Sequence, residues 1–150
     1  MTQYDETQIV DAIHADIEAE VALGTHQSYL YVEPRTLRPD IHPKVLVIHP
    51  SHILHEIIST VSNYENRNRF MVSWRQADLY GMETNIGDRE LAKASLLTAN
   101  AIRARLQTYG SGVPGIENST AELFETKYRL DRNGYWSCDM VLQIATFEGG

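Results

Sequence analysis

The segment 124–144, FETKYRLDRNGYWSCDMVLQI, decides the fold because it holds the clearest strand pattern in the chain. Apolar and polar residues alternate along both halves, as they do when one face of a strand lies on a core. Asn133-Gly134 separates the halves and favours the tight type I′ turn of a β-hairpin. The residues that alternate with charged neighbours in the first half are Phe124, Thr126, Tyr128 and Leu130. The residues predicted to face the core in the second half are Trp136, Cys138, Met140, Leu142 and Ile144.

A helix is predicted before this hairpin, at residues 88–110. Asp88 is expected to be its N-cap, and Gly110 ends it. Its apolar face comprises Leu91, Ile102, Leu106 and Tyr109. Its opposite, polar face comprises Lys93, Asn100, Arg103 and Gln107. Leu97 lies off the apolar stripe, which indicates either contact with a second partner or an ordinary surface leucine.

Another helix is predicted near the N-terminus, where apolar residues recur at every fourth position until Gly24. These residues are Ile9, Ile13, Ile17 and Val21. A proline-punctuated loop follows, with a short strand near residues 28–32.

The stretch between the two helices has the composition of strands. Residues 45–50, VLVIHP, form a short β-branched run that Pro50 closes. A hairpin is then predicted, with strands near 55–64 and 69–79 and a turn at 66–68. A helix over 51–65 is the alternative, because the apolar residues of that segment could also share one helical face.

These elements predict one α+β domain over residues 1–150, in the order α–β–β–β–α–β–β. The sheet is expected to be mostly antiparallel and to pack against two helices. A chain of this length buries about 68–70% of the surface that its unfolded form exposes, which is enough for a substantial core.

The charge is concentrated at the N-terminus. Residues 1–34 contain seven acids and no lysine or arginine, so they account for the whole formal charge of −7. This balance excludes a sequence-independent nucleic-acid binder, which needs positive charge to neutralise phosphates. The chain has ten arginines and three lysines. That bias favours either an interface-rich protein, since arginine suits planar ion pairs between subunits, or simple compositional drift.

Cysteine and hydropathy patterns limit the compartment. Cys138 has no partner for a disulfide and lies in an apolar strand row, where a thiol acts as a small hydrophobe with a raised pKa. No apolar run reaches the roughly 18 residues that a membrane helix needs. The start, MTQYDETQ, lacks the features of a signal peptide. We therefore expect synthesis in a reducing cytoplasm and no membrane partner.

One group of residues, His49, His52 and His55, has a spacing that could suit metal ligands. Zinc needs imidazole nitrogens that converge at about 2.0–2.1 Å. Pro50 breaks any helix here, and a strand would point His52 and His55 to opposite faces, so ordinary histidines are the favoured interpretation. No GxSxG, Walker A, GxGxxG, CxxC or HExxH motif is present. No catalytic, cofactor-binding or metal-ligating residue is therefore predicted.

The order of the elements and the residue patterns within them resemble those of the tail terminator (tail-completion) proteins of long-tailed bacteriophages. The resemblance rests on IVDAIHADIEAEVAL, PKVLVIHP, FMVSWRQADLY, ELAKASLLTANAIRARLQ and the closing hairpin KYRLDRNGYWSCDMVLQIATF. It implies a non-enzymatic virion subunit of the tail or neck, made in the host cytoplasm. It also implies a homohexameric ring that closes the tail tube, contacts tube and head–tail connector proteins, and lets DNA pass without specific binding.

A ring requires each subunit to contact two neighbours through different surfaces. The candidate contacts are Arg103 and Arg105 on the long helix, and Tyr80, Met82 and Ile86 in the loop before it. Two alternatives stay open: another head–tail connector or neck protein, and a small metal-binding enzyme domain that uses the three histidines.

Overall fold

The computed structural model describes residues 5–39, 41–59, 63–77, 85–130 and 134–149. Two α-helices and five strands form the fold, joined in part by short 3₁₀ turns at Val21–Leu23 and Thr108–Ser111. In chain order they are α1 (Glu6–Glu18), β1 (Gln27–Leu30), β2 (Lys44–Ser59), β3 (Asn63–Gln76), α2 (Asn85–Gln107), β4 (Ser119–Leu130) and β5 (Trp136–Gly149). The α+β class and the predicted order of elements are confirmed.

The five strands form one sheet in the order β1-β2-β3-β5-β4. Only β1 pairs in parallel, with β2, and the other three pairings are antiparallel. Both helices pack on one face of the sheet, where their apolar residues join those of β2, β3 and β5 in the main core. A smaller cluster on the other face comprises Leu37, Val45, Val47, Ala77 and Tyr135.

The first helix has a well-formed N-terminal cap but ends before the position that the sequence pattern predicts. The Asp5 carboxylate accepts the Gln8 amide at 2.9 Å, and the Gln8 side chain accepts the Asp5 amide at 2.9 Å, which completes a capping box. The helix ends at Glu18, so the prediction that Val21 belongs to its apolar face is wrong. Val21 is 90% exposed, and Leu23 in the following turn is buried instead.

The strands between the helices differ from the prediction in their bounds. The predicted strands at 45–50 and 55–64 lie in one long strand, β2, apart from its last residues, so the strand interpretation holds over the helix alternative. The turn predicted at 66–68 is wrong, because these residues lie inside β3 and pair with Ala145 and its neighbours in β5. Pro50 is tolerated within β2 because the register shifts directly after it, and β1 pairs no further than Ile48.

The long helix begins three residues before the predicted start. Asp88 therefore lies inside α2 and is not its N-cap, because the helix starts at Asn85. The predicted apolar face is confirmed, since all of its members are buried: Leu91, Ile102, Leu106 and Tyr109. Leu97 is 62% exposed, as its position off the stripe indicates.

The closing hairpin confirms one strand pattern and corrects the other. In β5 the predicted core residues Cys138, Met140, Leu142 and Ile144 are buried, while Trp136 is half-buried. In β4 the alternation does not mark a buried face, because β4 is an edge strand with a register shift between Leu123 and Glu125. Gly134 has the positive φ of 86° that a tight turn requires, and Asn133 lies outside the described residues.

Candidate interaction surfaces

The two arginines predicted to form contacts lie on opposite sides of α2. Residues two positions apart on a helix point about 200° apart. Arg105 accordingly faces the end of α1, where it binds acidic side chains. Arg103 faces the β4 side, close to Tyr128. Burial raises the pKa of Tyr128, and the positive charge of Arg103 acts in the opposite direction. The arginines therefore have different surroundings and different capacities for contact.

Arg105 joins the two helices within the chain. Its Nε donates to Glu20 Oε2 at 3.0 Å, and its Nη1 donates to Asp16 Oδ1 at 3.2 Å. The hydroxyl of buried Tyr109 donates to the other oxygen of Asp16 at 2.6 Å. The hydrogen bond from Arg105 is the main cause that lowers the pKa of Glu20. A neighbouring subunit would have to compete with these contacts to use Arg105.

A second cluster is centred on Glu18. Its Oε1 accepts hydrogen bonds from His14 at 2.8 Å, His26 at 2.7 Å and the Ser28 hydroxyl at 2.8 Å. The other ring nitrogen of His26 lies 2.8 Å from the Gly24 carbonyl oxygen. The two ring nitrogens of His26 therefore lie between two oxygen atoms, one from the Glu18 carboxylate and one from the Gly24 backbone.

The His26 ring is held in a defined position near the edge of the sheet. The His26 side chain is 9% exposed and lies edge-on to Trp74, with ring centroids 5.9 Å apart. Burial acts to raise the pKa of Glu18, but the hydrogen bonds from His26 and Ser28 outweigh burial and lower it. Glu18 in the acidic N-terminal segment thus receives its hydrogen-bond donors from within its own chain.

Polar contacts also cross the sheet face that the helices leave uncovered. Arg75, whose side chain is 9% exposed, donates to Glu33 at 2.7 Å and to the Ser73 hydroxyl at 3.2 Å. Ser73 donates to Asp139 at 2.6 Å, and Arg129 binds the other oxygen of Asp139 at 3.1 Å. These contacts connect the N-terminal segment with β3, β5 and β4.

A shallow cleft of about 220 Å³ lies near one end of the same face. Its lining residues are Arg67, Thr120, Ala121, Glu122, Gln143 and Ala145. This volume is below the roughly 300–1,000 Å³ of typical small-molecule sites.

Most of the exposed large apolar side chains lie either on α2 and β4 or in the segment around β1, and Phe147 of β5 is exposed as well. Those on α2 and β4 are Leu96, Leu97, Phe124, Tyr128 and Leu130. Those in the segment around β1 are Val21, Tyr31, Val32 and Ile41. Such patches are typical of protein–protein contacts.

The remaining predicted site residues are only partly covered by the structure. Tyr80 and Met82 lie outside the described residues, and Ile86 lies in the first turn of α2 with its side chain undescribed. His49 in β2 donates to the Pro50 carbonyl at 3.0 Å, whereas the side chains of His52 and His55 lie outside the description. Among the described residues, no group of three or more His, Cys, Asp or Glu side chains could hold a metal ion.

Two further predictions concern Cys138 and the membrane. Cys138 is fully buried, and burial raises the pKa of its thiol to about 11. Within the described part of the chain, no helix is both long enough and apolar enough to cross a bilayer.

Comparison with known proteins identifies a shared fold. No family model matches the sequence, and no curated protein matches it. Among solved structures, the chain is similar to one from the virion of a native gene transfer agent (GTA) particle. The TM-score is 0.62 at 12% sequence identity, and the similarity covers 92% of this chain and 93% of that chain. At this identity the similarity establishes the common fold.

Proposed function

We propose that this chain is a structural, non-enzymatic subunit of a phage-type virion. The observation that carries the proposal is the fold, which is similar over nearly its whole length to a chain of a GTA virion particle. Two exposed apolar edges on a subunit with a separate buried core support a role in contacts between proteins.

The specific role that we propose is that of a tail terminator. Six copies would form a ring that closes the tail tube in the neck region and joins it to head–tail connector proteins. The negative net charge of −7 suits a ring through which DNA slides, because phosphates find little positive charge to bind. Intramolecular partners for Asp16, Glu18, Glu20 and Glu33 hold part of this acidic charge in fixed positions.

The number of subunits per particle tests the proposal. Particles are purified from producing cells, and the chain is counted against the tail-tube protein by quantitative mass spectrometry and located by electron microscopy. The expected result is a single ring of six copies at the head-proximal end of the tail. A threefold or twelvefold arrangement, or a single copy, would instead indicate another connector or neck protein. Absence from the particle would overturn the virion role itself.

A further inference from the structure

We propose that neighbouring copies of this chain join head to tail, through two oppositely charged edges of the fold. This inference rests on the proposed ring and names the surfaces that build it. The "basic edge" consists of the outward side of α2 and the adjoining end of β4: Arg89, Lys93, Leu96, Asn100, Arg103, Tyr128 and Leu130. The "acidic edge" consists of the outward side of α1 and the segment beside β1: Asp5, Asp11, Glu18, Tyr31 and Val32.

The basic edge combines positive charge with exposed apolar surface. Arg89, Lys93 and Arg103 recur on one side of α2, and the helical spacing places no acidic residue between them on that side. Tyr128 of β4 donates to Asn100 of α2 at 3.1 Å, which holds the strand against this side of the helix. Leu96 is exposed on the same side.

Leu130 belongs to the same surface through its strand partner. It pairs with Trp136, whose carbonyl oxygen accepts the Ser95 hydroxyl of α2 at 3.2 Å. The end of β4 therefore lies beside the turn of α2 that carries Leu96. The outcome is an apolar centre flanked by three bases, which is the usual composition of an interface core and its rim.

The acidic edge has the complementary composition. Tyr31 donates its hydroxyl to Asp11, and Ser28 donates to Glu18, so the outward side of α1 adjoins β1. Val32, next to Tyr31 in the chain, is 67% exposed. No lysine or arginine occurs in the first 34 residues. His14 and His26 near this edge are both bound to Glu18, and the Lys44 ammonium lies beside Gly24.

The position of the two edges determines the kind of assembly. The α1–β1 side and the β4 side lie at opposite ends of the strand order. If two basic edges met, Arg103 and Lys93 of one copy would face Arg103 and Lys93 of the other. This repulsion between like charges would weaken the association. Contact between unlike edges pairs acids with bases and leaves a free edge at each end, so the contact repeats until a ring closes. A second copy of this chain is therefore the partner that the charges fit.

Site-directed cross-linking in assembled particles tests the contact. The chain carries Val32→Cys and Leu96→Cys together, and particles are treated with a short bis-maleimide. Cys138 stays out of the reaction because it is fully buried. We expect covalent multimers up to the full ring. The matched controls are the Val32→Cys and Leu96→Cys single variants, which each offer one side of the contact and should give no multimers.

The cross-linking outcomes separate this inference from the proposed function. A ring of six copies that gives no cross-link between positions 32 and 96 overturns the edge contact and leaves the ring intact. Cross-links between two copies of the same position in the single variants also overturn it, because they indicate contact between like edges. Absence of the chain from particles removes the proposed function and this inference together.

Charge exchange provides an independent measurement. Arg103→Glu should reduce incorporation into particles about tenfold or more, because like charges then face each other across the contact. Asp11→Lys should have a similar effect, and the chain with both substitutions should recover most of the incorporation. Circular dichroism of each purified variant verifies the fold. Normal incorporation of Arg103→Glu, or no recovery in the folded double variant, contradicts the proposal.

Discussion

Asp16 connects three parts of the chain through a single carboxylate. One oxygen accepts a hydrogen bond from Arg105, and the other accepts one from the hydroxyl of Tyr109. Tyr109 is a fully buried residue. Burial is the main cause that raises the pKa of Tyr109, followed by its hydrogen bond to Asp16. The hydroxyl therefore stays protonated and acts as a donor throughout the working pH range.

Removal of this acceptor should be costly. Asp16→Ala is expected to lower the free energy of unfolding by about 1–3 kcal/mol, because it leaves a buried hydroxyl without its partner. Urea unfolding measures the change. With Tyr109→Phe as well, the Asp16→Ala cost should shrink, since no hydroxyl then needs an acceptor. Strictly additive costs would mean that the two residues do not act on each other.

Cys138 should be inert in the folded protein. Its thiol is buried and its pKa is raised to about 11, so little thiolate exists at pH 8 and reagents cannot reach it. A chromogenic disulfide reagent should label it on the timescale of unfolding and at once in urea. Rapid stoichiometric labelling of the native chain at pH 8 would contradict this burial.

At the scale of elements, the period-two pattern of β5 is the most informative part of the sequence. This strand lies inside the sheet with one face on the main core, so its alternation records burial directly. The polar run 66–68 looks like a turn but lies within β3, because pairing with β5 satisfies its backbone. Local residue types cannot reveal this pairing, because the partner residues in β5 lie nearly 80 positions further along the chain.

The same limit applies to the candidate interaction surfaces. The i,i+4 spacing of His14 and Glu18 is visible in the sequence, whereas the contact of His26 depends on the turn at Gly24. Arg103 and Arg105 are both predicted contact residues, yet their opposite directions follow from helical geometry once the helix is placed. Their partners, on β4 and α1, are set by tertiary packing.

Two neighbouring positions in β5 test the alternation. Leu142 is fully buried, so Leu142→Ala should cost about 2–5 kcal/mol of unfolding free energy. Gln143 is half-buried on the other face and accepts from Arg69 at 3.4 Å. Gln143→Ala should change the stability by only about 0.5 kcal/mol. Equal costs under urea would mean that β5 is buried on both faces.

For the molecule as a whole, the acidic N-terminal segment contributes stability that depends on pH. The pKa of Glu18 is below its ordinary value of 4.5, although burial opposes the shift, because His26 and Ser28 stabilise the carboxylate. A group with a lowered pKa stabilises the fold above its unfolded pKa and loses that contribution as the pH falls through the folded pKa. Stability should therefore decline below about pH 4.5.

Thermal unfolding at a series of pH values measures this dependence. Glu18→Gln should reduce the fall of the melting temperature at low pH, because the amide of glutamine does not titrate. Asp11→Asn is the matched control on the same helix. An acid limb of unchanged steepness in Glu18→Gln would show that other carboxylates cause the decline.

The strand order has a consequence for how the chain is made. β5 lies between β3 and β4, although both of these precede it in synthesis. While the ribosome is still translating residues 136–149, β3 is unpaired on the side that β5 will take, β4 has no partner strand in the sheet, and the main core lacks a whole row of side chains. The nascent chain therefore waits, with two open strand edges, until its last strand has left the exit tunnel. The sheet is therefore expected to close late in synthesis, and chaperones that bind exposed strands have their longest opportunity immediately before it.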